Sequence, residues 1–241
     1  MWRITFLAGL LIAGFCLPAG HSAAATKLPP LVPFEEFQRF LKRAVGDGEA
    51  TNLGSGGLFM ATEQGIIIAW MEGTAKDKAG DALGDAILGE AREQLQSRCL
   101  KDTMQLSTIA RQNLDGIRLL RQSLECSEWW TTGRGKFENW IVFEDGQRFQ
   151  AFVTGASTGQ AAVNKITEQI LHALVCYTQK APPTPSNGEA FSDCFQIAAG
   201  GDRGAARLTG KKDASQSQDL RVLIEHGLAL RVLIQRGFTA K

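Results

Sequence analysis

The sequence predicts an α+β fold, an antiparallel sheet flanked by helices (an α/β/α sandwich) with a small C-terminal α/β appendage. Two segments carry helical periodicity. Leu83, Ile87, Ala91 and Leu95 recur every fourth residue within 79–98, and Val163, Ile166, Ile170 and Leu174 line one side of 159–176. Between them lie β-branched and aromatic runs joined by short turn signals, Asn113-Leu114-Asp115-Gly116 and Asp145-Gly146, which make hairpins and hence antiparallel pairs.

The N-terminus is of another kind. Arg3 precedes an apolar run from Ile4 to Leu17, and the stretch ends in Ala23-Ala24-Ala25. A charged start, an apolar centre and small residues at the end make a secretory signal peptide over residues 1–25. The run is shorter than the ~20 residues a spanning helix needs; an uncleaved N-terminal anchor is the alternative. Phe15 before Cys16 is too large for a lipoprotein cleavage site. Removing residues 1–25 leaves 216 of the 241 residues, enough for one domain or one domain with an appendage. Arg3 is the only charge lost, so 25 basic residues face 25 acidic ones. That balance argues against nucleic acid as a partner, because phosphate binding needs a basic excess. No later stretch is apolar enough for a transmembrane segment.

Along the mature chain, Pro33 opens a short helix whose Phe34, Phe37, Phe40, Leu41 and Ala44 share a face, and Gly46 closes it. Gly54-Ser55-Gly56-Gly57 reads as a loop. Residues 58–62 and 66–72 read as strands joined through Gln64-Gly65. In the 79–98 helix, Gly80, Gly84 and Gly89 each weaken it by about 1 kcal/mol relative to alanine, and small residues there let a helix approach a sheet. Residues 104–110 and 117–130 form a first hairpin; 139–143 and 148–154 form a second. A two-residue turn at Asp145-Gly146 sets Val142 opposite Phe149 and Trp140 opposite Ala151. Trp140, Val142, Phe149 and Ala151 then share one face.

The predicted organisation is therefore signal peptide 1–25, sandwich domain 26–177, a proline-rich linker over 178–191 and a small basic C-terminal region over 192–241. From Gly200 onward, eight basic residues face four acidic ones. A near-repeat, Leu220-Arg221-Val222-Leu223-Ile224 and Leu230-Arg231-Val232-Leu233-Ile234, reads as a helix then a strand, or as a single hairpin.

The order of strands and helices from Leu58 to Leu174 resembles that of the PsbP-like proteins. The features that carry the likeness are the 66–72 strand feeding the 79–98 helix, the Asp145-Gly146 hairpin and the closing 159–176 helix. The resemblance covers about half of the chain and implies a non-enzymatic, extracytoplasmic accessory domain.

Four cysteines remain after export: Cys99, Cys126, Cys176 and Cys194. An even number in an exported chain predicts two disulfides. No C-x-x-C pair or histidine pair accompanies them, so a metal site is not expected. A turn near 113–116 brings Cys126 opposite residues 101–103, close to Cys99. Cys176 and Cys194 then pair across the proline linker.

The candidate chemistry is sparse. His172 lies on the polar side of its helix, and His226 falls at a helix end where a cation suits the dipole. Glu35 and Glu36 are adjacent and point apart. The Gly54–Gly57 run lacks the Lys-Ser/Thr of a phosphate loop. No cofactor motif is present. The cluster of interest is Trp129, Trp130, Arg134 and Lys136. Adjacent tryptophans on a strand face opposite sides, so one of them is either exposed for a sugar or a partner, or covered by a helix. The expectation is an exported, non-catalytic binding or accessory protein of the bacterial cell envelope, periplasmic or secreted, that takes a protein or an envelope ligand. The alternative is a small exported enzyme.

Overall fold

The computed structural model of the chain describes residues 28–61, 65–75, 83–100, 103–128, 135–156, 160–180, 193–194 and 238–239. Residues 1–25, expected as a signal peptide, the part of the expected linker from residue 181 onward and most of the expected basic C-terminal region lie outside these residues, as do Trp129, Trp130, Arg134 and His226.

The elements follow the periodicities. Helix α1 (Phe34–Ala44) begins one residue later than expected, with Pro33 at its N-cap. Strands β1 (Glu49–Asn52), β2 (Gly56–Ala61) and β3 (Ile66–Ala75) come next, then α2 (Leu83–Arg98). Strands β4 (Met104–Leu106), β5 (Ala110–Leu114), β6 (Ile117–Cys126), β7 (Lys136–Glu144) and β8 (Arg148–Ala156) lead into α3 (Gln160–Lys180). A short β9 (Phe238–Thr239) pairs with β3. All the described strands belong to one sheet, in the order β1-β2-β3-β8-β7-β6-β4, with β5 beside β4 on the edge of β6. Every described pairing is antiparallel. The result is the expected α+β architecture of an antiparallel sheet flanked by helices.

The two faces of the sheet bury separate cores. On one face, Phe37, Phe40 and Leu41 of α1 and Val163, Ile170 and Leu174 of α3 pack on Ile68, Trp70, Ile141 and Phe152. Phe37 meets Trp70 edge-on at 4.7 Å, and Phe34 stacks on the same indole at 5.7 Å. On the other face, the α2 row Leu83, Ile87, Ala91 and Leu95 packs on Leu120, Leu124, Trp140 and Val142. The inner row of α3 continues to Tyr177 and the helix ends at Lys180, so it runs past its expected end at Cys176 and takes in residues 178–180, expected as the start of the linker.

Several local expectations are corrected. Gly56 and Gly57 belong to β2 and not to a loop. Both positions lack room for a side chain: a Cβ at Gly57 would strike the Trp70 and Phe34 rings, and one at Gly56 the backbone of Trp70 and Met71 on the neighbouring strand. The second hairpin turns at Gly146-Gln147, with Asp145 N–H donating to the Arg148 carbonyl at 3.2 Å. Gly146, at φ 83°, supplies the positive φ that the first central position of such a turn requires. Asp145 Oδ1 then accepts from Gln147 and Arg148 N–H at 3.1 and 2.8 Å. The register moves by two, to Val142 opposite Ala151 and Trp140 opposite Val153, and a slip of two keeps each side chain on its face.

In the first hairpin the turn is Asp115-Gly116, with φ values of 51° and 90°. Leu114 pairs with Ile117 and Ala110 with Arg121, but Leu106 pairs with Leu124 and Met104 with Cys126. The edge strand therefore carries one extra residue between β4 and β5, a β-bulge. Cys126 accordingly faces Met104 rather than residues 101–103. Both expected disulfides form, Cys99–Cys126 with Cα atoms 5.7 Å apart and Cys176–Cys194 at 5.5 Å.

The segment 28–33, ahead of α1, is strapped over one end of the sheet by side chains. Prolines remove donors and prevent ladder pairing, so the sheet reads the remaining backbone groups individually. Asp145 accepts from Leu28 N–H at 2.9 Å and Glu72 from Leu31 N–H at 3.1 Å. Arg148 donates to the Leu28 and Pro29 carbonyls at 2.9 and 3.3 Å, and Gln150 to Pro29 at 2.7 Å. Tyr177 donates its hydroxyl to the Pro30 carbonyl at 3.2 Å.

Candidate functional site

Alternation along β7 decides where Lys136 goes. Lys136, Glu138, Trp140 and Val142 occupy every second position, so they share the face that α2 covers. Lys136 is accordingly only 6 % exposed, not a surface cation beside an exposed indole. It borders a recess between the C-terminal half of α2 and the sheet.

The apolar walls of the recess are Ala91 and Leu95 of α2, Ile67 and Ala69 of β3, Val153 of β8 and Trp140 of β7. Its polar groups are Gln94 and Arg98 of α2 with Lys136 and Glu138 of β7. The cavity measures about 30 Å³, on a scale where one water takes ~10–15 Å³. It admits a slender group. Glu138 Oε2 accepts the Trp140 indole N–H at 2.9 Å, which fixes both side chains. Gln94 Nε2 is buried and has no hydrogen-bond partner among the described residues.

The Cys99–Cys126 bridge braces this polar end. Cys99 directly follows Arg98, and Cys126 is the cross-strand partner of Lys136. The disulfide thus ties the end of α2 to the strand beside Lys136.

The other buried polar groups serve packing. Asn139 accepts from Ser123 at 2.7 Å and donates to Asn164 and Thr167 at 2.9 and 3.0 Å, registering α3 on the sheet. Arg118 reaches the fully buried Glu144 at 3.2 Å and Asp85 at 3.6 Å. Burial raises the Tyr177 hydroxyl above the ordinary phenol pKa, and the Glu72 carboxylate adds to the rise. His172 is exposed on α3. Among the described residues, no group of three or more His, Cys, Asp or Glu side chains is placed to hold a metal ion. No described helix is long and apolar enough to cross a membrane.

Of the four residues expected to bind, the structure places Lys136 in the recess, while Trp129, Trp130 and Arg134 lie outside the described residues. Gln94, Arg98 and Glu138 were not singled out in the sequence. Glu138 shares the period-two row of Lys136 and Trp140, and Gln94 and Arg98 flank Leu95 one helical turn apart, so periodicity alone could have found them.

No family model and no curated protein matches the chain. Among solved structures, it is similar to the crystal structure of a Pseudomonas aeruginosa protein of unknown function described as a putative regulator. The two are 14% identical, with a TM-score of 0.33, over 58% of this chain and 100% of the other. That likeness transfers neither fold nor function.

Proposed function

We propose that the chain is an exported, non-catalytic binding or accessory protein of the bacterial cell envelope, and that the recess under α2 receives its ligand. The observation that carries this reading is the composition of the recess: apolar walls with a few polar groups gathered at one end, the pattern of a small-molecule site. Two disulfides suit an oxidising compartment. The signal-like residues 1–25 and the PsbP-like order of elements point the same way.

The test has two arms. Full-length protein is produced in a bacterial host, fractionated and examined by native mass spectrometry. The expected species is periplasmic, begins within a residue or two of Thr26, and carries a small non-covalent adduct. The adduct should vanish in Ala91→Met, whose longer side chain fills the recess. Soluble cytoplasmic protein that retains Met1, or wild type and Ala91→Met with identical native masses after correction for the substitution, would overturn the proposal.

A further inference from the structure

Gln94 marks the polar end of the recess. Its Nε2 is buried without a hydrogen-bond partner among the described residues, a state that native structures rarely hold unless a ligand, ion or water relieves it. An amide N–H calls for an acceptor. Among the described residues that line the recess, Arg98 and Lys136 place two cations at the same end against the carboxylate of Glu138, so their field favours a ligand with a single negative charge. All three already take part in interactions within the protein; they set the field, and Gln94 supplies the donor.

The remaining walls allow little else. A second polar group on the ligand would lie against Ile67, Ala69, Leu95 or Val153 and lose its hydration without compensation. The cavity of about 30 Å³, roughly two to three waters on that scale, takes a small head group and the first carbons of a slender tail. The geometry points to an alkyl monocarboxylate as the ligand, with its tail under α2 and its carboxylate accepting from Gln94 Nε2. This inference rests on the reading of the recess as the ligand site and names the chemistry of that ligand.

The experiment uses the purified mature protein with both disulfides intact. Butanoate, hexanoate and octanoate are titrated by calorimetry and by methyl shifts of Ile67, Leu95 and Val153. Affinity should rise about four-fold per added methylene until the enclosed space is filled, and then level. Octanol and octyltrimethylammonium should bind at least ten-fold more weakly than octanoate. Gln94→Leu, which keeps the approximate shape but removes the donor, should bring octanoate down to the level of octanol; its thermal midpoint reports whether it folds, and the wild-type methyl shifts stand if it does not.

Equal binding of octanoate and octanol overturns the carboxylate assignment while leaving the recess as a ligand site. Absence of methyl shifts with every alkanoate overturns it too. If the periplasmic protein nevertheless carries an adduct that Ala91→Met removes, the site stands and only the ligand class is wrong. If it carries none, both readings fail.

Discussion

A Cβ at Gly56 would run into the backbone carbonyl of Trp70 on the neighbouring strand, whereas one at Gly89 meets nothing within 4 Å. The two glycines should therefore respond to alanine with opposite signs. Gly56→Ala forces backbone apart in a packed sheet and should cost about 1–3 kcal/mol. Gly89→Ala removes a helix-weakening residue at no steric cost and should gain about 1 kcal/mol. Denaturant midpoints with unchanged slopes measure both; shifts of the same sign would contradict this account. In the sequence, Gly84 and Gly89 look alike. The structure separates them, because a Cβ at Gly84 would come within 2.5 Å of Leu120 Cδ1, a neighbour brought in by tertiary packing. Lys136 was legible in principle. The alternation that turns Trp140 and Val142 inward turns Lys136 inward too, whereas its charge alone points to a surface.

At the level of elements, periodicity carried the helices and strands, and local turn chemistry decided their registers. The sequence offers a four-residue turn signal at Asn113–Gly116 and a two-residue one at Asp145-Gly146. The first turns tightly at Asp115-Gly116, but in the second the Asp145 carboxylate accepts from the Gln147 and Arg148 N–H groups and the turn moves by a residue. The bulge between β4 and β5 leaves no mark in composition. Neither does the strap, because prolines followed by a helix do not say which side chains will hold them. Tyr177 gives the strap an observable. It is the only tyrosine in the chain, and its hydroxyl bonds Pro30. Its folded pKa is raised, by desolvation first and Glu72 second. Between the unfolded value, near 10, and the higher folded value, the unfolded chain binds fewer protons, so stability is full below that window and falls as pH rises through it. Phenolate absorbance should therefore appear together with loss of structure above pH 10. Tyr177→Phe should cost about 1 kcal/mol at neutral pH through the lost hydrogen bond, and should lose less additional stability than wild type between pH 10 and 11. Equal losses in the two proteins would mean the hydroxyl is not coupled to the fold.

For the molecule as a whole, the two disulfides decide how much stability survives in a reducing compartment. One joins α2 to β6 and the other joins α3 to Cys194, with sequence separations of 27 and 18 residues. On the loop-entropy account each contributes roughly 3 kcal/mol. They lie on different helices and share no partner, so their effects should add. A combined loss of about 6 kcal/mol is large against the ~5–15 kcal/mol that holds a typical protein. Cys126 and Cys194 are buried, at 0 and 1 % exposure, so reductant reaches them through opening of the fold and native protein should reduce slowly. The prediction compares oxidised protein with protein reduced in denaturant and refolded with its thiols kept free. Its thermal midpoint should fall by roughly 12–24 °C, at about 2–4 °C per kcal/mol for a chain of this size. Each single-bridge variant should account for about half. Cys99→Ser/Cys126→Ser should also weaken any ligand at the recess, since that bridge sits beside Arg98 and Lys136, whereas Cys176→Ser/Cys194→Ser should leave such binding unchanged. A reduced midpoint within about 3 °C of the oxidised one, roughly 1 kcal/mol by the same conversion, would show that sheet and helices hold without the bridges and would remove the stability argument for an oxidising compartment.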